Sequence, residues 1–467
     1  MHKYTDRYIV QKPTDRYIDM HTNNQIKNNT LPPLRKSFGS AFFYIFCVLA
    51  LLLPGTSFAG VGILPIGFGS QSYARSGTDI AYSSDPMSLN NNPAGIAQID
   101  RPELNLIIEP NIIYGVRHQD SLGNNKNSDN DLVVLVSGGW ATPLASNPNI
   151  VVGLGLFTQG GVGYDYPDLK TDFDNRDDLL ALFGVFRLAP AIAWNINERL
   201  RVGLSASINY SQAEQEVFPD TSVLAAEPFF GLKLNDLSGT SLSWRIGLQY
   251  DLSDQLTVGF NYSEQTDLKL DGGNAEVNYS ALGIGKIDYQ NARITGLSLP
   301  REIGIGFAWQ ATPKLSIGAD LNWYEWSESL GNIRSELTNP NYTAAEDGPP
   351  IPDQITVITD FGGQDNFSKS VSADYLINER NQLFLGLQHT NNVITKAATS
   401  PLTNLLGKWH LSIGLEHQFT SNWHATVVYA HALQEQRDYQ NTQFPLGNES
   451  RESYSAYNLV FEVGYRW

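Results

Sequence analysis

The chain has 467 residues, a net charge of −17 and a single cysteine. This acidity argues against nucleic-acid binding, which needs a basic patch, and one cysteine cannot build a disulfide framework. A mean hydropathy of −0.24 leaves membrane strands open, because only every second residue of such a strand must be apolar.

Residues 1–59 read as a processing signal with an extension ahead of it. Arg35 and Lys36 form a basic flank, and Ala41–Leu53 is an apolar run too short to span a bilayer as a helix. Pro54, Gly55 and Ser57-Phe58-Ala59 then resemble a cleavage site, with the cut after Ala59. The extension repeats Thr5–Ile9 as Thr14–Ile18, and Met20 is an alternative start. Cleavage would remove Cys47 and leave residues 60–467, with 45 acidic and 24 basic residues and no thiol for catalysis or metal ligation.

Residues 60–102 do not alternate and are rich in Gly, Ala, Ser and Asn. Such a segment has no place in a sheet wall. It would hang free or fold into a lumen, and small residues favour the second, since a plug must pack closely. Pro93 fixes a backbone angle and Gly95 allows a tight bend.

From residue 103 onward, apolar residues recur at every second position. Leu242, Trp244, Ile246, Leu248 and Tyr250 alternate with Ser243, Arg245, Gly247 and Gln249, and Leu315–Trp323 repeats the pattern. Period two means strands with one greasy face and one small or polar face. Fourteen strands are expected: 103–116, 131–143, 149–160, 185–194, 200–212, 240–250, 255–268, 301–310, 314–325, 368–377, 382–393, 408–419, 422–435 and 453–467. Short turns near 195–198, 251–255, 311–314, 378–381 and 420–422 alternate with long polar segments at 213–239, 270–300, 327–367, 394–407 and 436–452. Segregation of loop length by parity fits a transmembrane β-barrel with short periplasmic turns and long outer loops. The last strand ends in Tyr465 and Trp467, the pattern expected of an assembly signal read by barrel-insertion machinery.

Gly67-Phe68-Gly69, Ala74-Arg75-Ser76-Gly77, Asp85 and above all Asn92-Pro93-Ala94-Gly95-Ile96-Ala97 carry a family resemblance. Asp100-Arg101-Pro102, Leu299-Pro300 and Trp323-Tyr324-Glu325-Trp326 extend it. Together they resemble the outer-membrane family of long-chain fatty acid and aromatic hydrocarbon transporters. The resemblance implies an all-β, fourteen-stranded antiparallel transmembrane barrel over residues 103–467, with an N-terminal hatch, residues 60–102, inside the lumen. Asn92, Pro93, Ala94 and Gly95 would mark the hatch. It also implies a lateral opening at a kink in strand three. Here that strand continues into Gln159, Gly160, Gly161 and Gly163, where the family usually shows a Pro-Phe-Gly-like run. Glycines weaken a strand and permit a bulge, so a kink remains feasible.

Other groupings carry less. His410, His417, His424 and His431 recur every seven residues, but parity points the first and third inward and the others outward, which opposes one metal site. Asp172, Asp174, Asp177 and Asp178 offer oxygens for calcium, yet their spacing does not fit an EF-hand and a solvated acidic loop accounts for them. No Gly-x-Ser-x-Gly elbow occurs. Parity places Arg245 inside with Glu302, Asp320, Asp374, Glu416 and Glu462, making an acidic lumen. Arg245 is the candidate for a ligand carboxylate, and pairing with a neighbouring lumen acid is its competing role.

The expectation is a passive, single-chain uptake channel for fatty acids or neutral hydrocarbons in the bacterial outer membrane. No metal or cofactor is implied, and the partners are a hydrophobic small molecule, outer-membrane lipid and the assembly machinery. A hydrophilic porin or adhesion barrel is the rival, and an outer-membrane acyl hydrolase a more distant one.

Overall fold

The computed structural model describes residues 60–343 and 349–467; the expected signal peptide at 1–59 lies outside them. Fourteen strands form the wall. They are β1 (Glu103–Ile112), β2 (Leu132–Leu144), β3 (Asn147–Lys170), β4 (Arg176–Asn195), β5 (Leu200–Val223), β6 (Phe229–Ser253) and β7 (Leu256–Ser263). Then follow β8 (Glu302–Thr312), β9 (Leu315–Tyr324), β10 (Asn366–Asn378), β11 (Asn381–Thr390), β12 (Trp409–Gln418), β13 (Trp423–Gln440) and β14 (Glu449–Arg466). Each pairs antiparallel with its chain neighbours. β1 also pairs with β14, from Glu103 opposite Arg466 to Ile112 opposite Tyr457, and closes the ring. Among the described residues no helix is long and apolar enough to cross a membrane; strands do the crossing.

Side-chain parity sets the two faces. On β6, Trp244, Ile246, Leu248 and Tyr250 are exposed while Ser243, Arg245 and Gln249 are buried. On β1, Glu103, Asn105, Ile107, Glu109 and Asn111 are buried, and Ile108 is 54% exposed. Side chains that would be liabilities in water form the belt that lipid covers.

All fourteen expected strands are present, but several are longer than the alternation suggested. β3 to β6 run far past the membrane belt, and their pairing continues through Leu169 opposite Asp177 and Val223 opposite Phe229. The segments read as long loops at 270–300 and 327–367 contain hairpins, Leu270–Asn278 with Lys286–Thr295 and Asn332–Pro340 with Gln354–Asp360. These hairpins bury Ala275, Val277, Ile287, Tyr289 and Leu337 in an apolar cluster, but their alternating stretches are short and the first is interrupted by bulges, so the period-two signal fades while the ladder of hydrogen bonds continues.

Over the outer end of β1, a short hairpin, Arg117–Asp120 with Asn125–Asn127, pairs with Ser450–Ser453 of β14. His118 fixes this junction. Its Nδ1 lies 2.6 Å from Glu452 Oε1 and its Nε2 3.2 Å from Asp120 Oδ2, with the ring fully buried. Burial alone would lower the imidazole pKa, but Glu452 and Asp120 outweigh it and hold it at about 9. Burial would likewise raise Asp120, but hydrogen bonds from His118, Asn124 and the Gly447 N–H hold it at about 2.

The sign of the pH effect follows. A raised histidine stabilises the junction fully below the ordinary imidazole pKa, and that contribution disappears as pH rises through about 9. Native-state hydrogen-exchange protection factors of residues 117–127, taken against the intrinsic rate at each pH, should therefore fall between pH 7 and pH 10 by an amount on the order of 3 kcal/mol. His118→Gln should be weakly protected at both pH values, and wild-type protection factors unchanged over that range would refute the assignment.

Candidate functional site: an occupied lumen and an interrupted wall

Residues 60–102 meet the inward faces of the wall. The segment holds a short helix, Ser70–Ala74, and two 3-10 turns, Pro86–Leu89 and Pro93–Gln98. Asp85 caps the second element by accepting from the Met87 and Ser88 N–H groups, and Asn92 caps the third by accepting from the Ala94 N–H. Proline at the first turn of each costs no hydrogen bond. The Asn92 Nδ2 also donates to Ile80 O at 2.7 Å and to Leu248 O of β6 at 3.1 Å. One side chain thus folds the segment onto itself and ties it to the wall.

Wall glycines make room for this contact. A Cβ on Gly203 of β5 would collide with the Pro93 backbone, and one on Gly247 of β6 with Asn92 and Pro93. Gly259, Gly386 and Gly139 similarly face the backbones of Ile80, Arg75 and Pro86. Strands ordinarily disfavour glycine, so its repeated use on the inner face follows the shape of what is packed there.

The lumen acids found by parity are engaged rather than free. Arg75 donates two bonds to Asp374 at 3.0 and 2.8 Å, and its guanidinium lies 4.3 Å from the Tyr82 ring centroid and 5.1 Å from that of Phe384. Asp320 Oδ2 accepts from the Asp79 and Ile80 N–H groups. Glu462 accepts from the Ser70 N–H and from Asn105, and Glu416 from Gln71. Sequence reasoning passed over Arg75 as a contact, although it stands in the quoted Ala-Arg-Ser-Gly run; its partner lies 299 residues away.

Arg245, nominated for a ligand carboxylate, is taken up by the wall and the segment. It pairs with Glu302 at 2.9 Å and donates to Asn91 O at 2.8 Å. Arg187 of β4 differs. It donates to Asn209 Oδ1 and Asn90 Oδ1, and among the described residues no carboxylate lies within ion-pair distance. His410 and His424 are buried on the inner face, whereas His417 and His431 are only partly buried. In the acidic loop, Asp177 accepts from the Asp220 N–H and Thr221 hydroxyl, and Asp178 from the Asp168 N–H.

The wall is interrupted beside β3. Pairing of β2 with β3 runs from Leu144 to Gly138 opposite Leu156 and then stops. Beyond that point β2 continues with β1 alone, to Leu132 opposite Ile112. β3 continues with β4 alone, through a bulge between Thr158 and Gly160. Just beyond the last pair the Thr158 N–H donates to Ser137 Oγ and the Thr158 hydroxyl to Val136 O, both at 3.3 Å, and backbone contact resumes higher up, where the Asp129 N–H donates to Asp165 O. Within the interruption the Gly161 N–H donates to Ile63 O of the N-terminal segment at 3.0 Å, and Gly160 has no room for a Cβ against that same carbonyl. Gln159 Oε1 accepts from Asn90, which in turn accepts from Arg187. A cavity of ≈ 10 Å³ lies at the inner edge, lined in part by Phe68, Tyr73, Ile107, Leu135 and Thr158. It is no larger than a water molecule.

These features define an outer-membrane transport barrel. The family described as outer membrane protein transport protein (OMPP1/FadL/TodX) matches residues 66–466, and the chain belongs to it. Solved structures with similar folds include the Pseudomonas putida toluene transporter TodX (TM-score 0.67, 17% identity, 86% of this chain and 99% of that one). The Ralstonia pickettii toluene transporter TbuX is similar at TM-score 0.69 and 17% identity, covering 86% and 99%. A Pseudomonas aeruginosa FadL homologue follows at 0.67 and 15%, covering 87% and 100%. A search of curated proteins by sequence returns no significant match.

Removing one partner of a buried ion pair strands the other charge and typically costs on the order of 3–5 kcal/mol. Arg75→Ala should therefore loosen residues 60–100 and raise their protease sensitivity in detergent. Arg75→Ala with Asp374→Ala should restore part of the protection. Equal sensitivity of the single variant and wild type would mean that this pair does not hold the segment.

Proposed function

We propose that the protein is a passive outer-membrane uptake channel for hydrophobic molecules, with residues 60–102 as its hatch and the interruption beside β3 as a lateral exit. The observation that carries this reading is the break in the β2–β3 backbone ladder, bordered by Leu135, Val133 and Val162, where Thr158 bonds to Ser137 and Val136 and the Gly161 N–H turns to Ile63. An unpaired strand segment facing lipid is costly, and a barrel with no sideways traffic has no use for one. The toluene transporters named above move a hydrophobic compound, by their titles, which supports the same class of cargo here.

The mechanism has three steps. Ligand leaves water among the outer segments and enters the apolar cluster that contains Trp326, Leu330, Val393 and Leu406. Burial there favours binding by about 25 cal/mol per Å² of apolar surface. A shift of Phe68 and the Ile63 contact then widens the small cavity at the wall, and the ligand passes between β2 and β3 into the membrane. No energy source enters this sequence of events.

Arg187 bears on the cargo. A buried cation whose direct hydrogen bonds go to amide oxygens, as those of Arg187 do, attracts a carboxylate more strongly than an ion-paired one does. Its chain of bonds through Asn90 to Gln159 brings it to the edge of the interruption. This favours an acid-bearing amphiphile among the hydrophobic cargoes.

Separate measurements test these points. In proteoliposomes, Gly160→Val should cut delivery of an apolar probe to the bilayer at least ten-fold while the barrel stays folded; undiminished delivery would remove the lateral exit. Deletion of residues 60–98 should give large, steady ion conductance in planar bilayers, and rapid swelling of wild-type liposomes in sugars would instead favour a hydrophilic porin. Arg187→Gln should weaken binding of a fatty carboxylate about ten-fold and leave a neutral hydrocarbon unaffected, and equal losses for both would place the carboxylate elsewhere.

A further inference from the structure

The wall opposite the interruption is richer in buried polar groups without partners. β9 and β10 stand seven strands round the ring from β2 and β3, half of a fourteen-strand circumference. Two adjacent rows of inward side chains cross this region in register. The upper row joins Asn261 of β7, Gly304 of β8, Asn322 of β9 and Ser368 of β10. The lower row joins Gly306, Asp320, Ser370 and Gln388 of β8 to β11. Asn261, Asn322, Ser368, Asp320, Ser370 and Gln388 are all at least nine-tenths buried. Each nevertheless has a side-chain oxygen with no protein partner.

Six such atoms side by side are not a packing accident. A buried acceptor or hydroxyl without a partner is more costly than a made hydrogen bond is favourable, and a dry row of them would undo much of a domain's stability. The Oδ1 atoms of Asn261 and Asn322 both occupy the space that a Cβ on Gly304 would need, and the Asp320 Oδ1 does the same over Gly306. Two acceptors facing each other need a donor between them. The donor with the right size and both capacities is water.

The interrupted wall is more apolar, although Thr158, Gln159 and the Tyr73 hydroxyl lie there too. Val133, Leu135 and Val162 at the interruption belong to one apolar cluster with Ile63, Leu64 and Trp326. A ligand in that cluster therefore has a continuous apolar path toward β2 and β3, and a water-holding surface toward β9 and β10.

We propose that this belt of side chains on β7 to β11 is a hydrated barrier that turns apolar ligand away from the bore and toward the interrupted wall. The proposal rests on the uptake reading above and adds what gives the movement its direction. An apolar molecule entering the belt would have to displace waters whose hydrogen bonds it cannot replace, so the sideways route is the favoured one even when the hatch has moved.

The test is delivery of diphenylhexatriene, an uncharged hydrocarbon fluorophore, from full-length protein to the bilayer of proteoliposomes. Ser368→Val with Ser370→Val makes the belt apolar at unchanged strand register. Delivery should slow at least five-fold, with a matching rise in fluorophore that co-purifies with the barrel. Gln388→Leu, which alters a single side chain, should give a smaller change in the same direction and serves where the double variant does not fold, as judged by the gel mobility of the unheated barrel. A folded variant that delivers at the wild-type rate and retains no extra fluorophore overturns the belt alone. Wild-type protein that delivers none overturns the uptake reading and the belt with it.

Discussion

A strand wall in lipid must satisfy its own backbone, because hydrocarbon supplies neither donors nor acceptors. That constraint organises the molecule. It requires closure, and β1 supplies it by pairing with both β2 and β14. It also makes the one long break between β2 and β3 informative. There the Gly161 N–H turns inward and finds its acceptor on Ile63, in a part of the chain that is not wall at all. The N-terminal segment therefore contributes to the backbone accounting of the barrel, and the two cannot move independently.

Electrostatics inside the ring follows a similar logic. The lumen side chains are acidic, and a water-filled acidic bore would repel anions. Instead the carboxylates of Asp374, Asp320 and Glu462 accept from Arg75, from the Asp79 and Ile80 amides, and from Ser70. The wall acts as a set of anchors for an otherwise irregular segment, whose many backbone N–H groups have no helix or sheet of their own to satisfy them. Small residues at the points of closest approach let main chain meet main chain, which is why wall glycines such as Gly203 and Gly247 sit against Pro93 and Asn92.

Much of this was readable from the chain alone. Strand number, the position of every wall strand and the inward set of charges all follow from period-two alternation, because lipid on one side and a polar interior on the other impose opposite demands on neighbouring residues. The Asn92–Ala97 run and the Gln159 to Gly163 stretch were expectations of the chain alone for the inner segment and the strand-three opening. Two things were not readable. The outer ribbons at 270–300 and 332–360 bury Ala275, Val277, Ile287, Tyr289 and Leu337 in an apolar cluster, but their alternation is only a few residues long and in the first is broken by bulges, too brief to mark strands. Partnerships across the ring, such as Arg75 with Asp374 or Arg187 with Asn90, depend on which side chains meet across the lumen. Parity reveals that a residue points inward, but not what it meets there. For the same reason Arg245 looked available, although Glu302 and the Asn91 carbonyl claim it.

The junction built around His118 has a consequence for how the molecule is made. Arg117–Asp120 follows the first wall strand, yet its partners Ser450–Ser453 lie near the chain's end. The roof over the earliest strand therefore waits on the final one. Such a contact spans most of the polypeptide and forms slowly. Until the cylinder seals, Glu452 and His118 remain separated and the outer cover stays open. Completion of the seam and completion of the roof are thus a single event, and a chain stalled one strand short would present both an unsealed edge and an unroofed mouth.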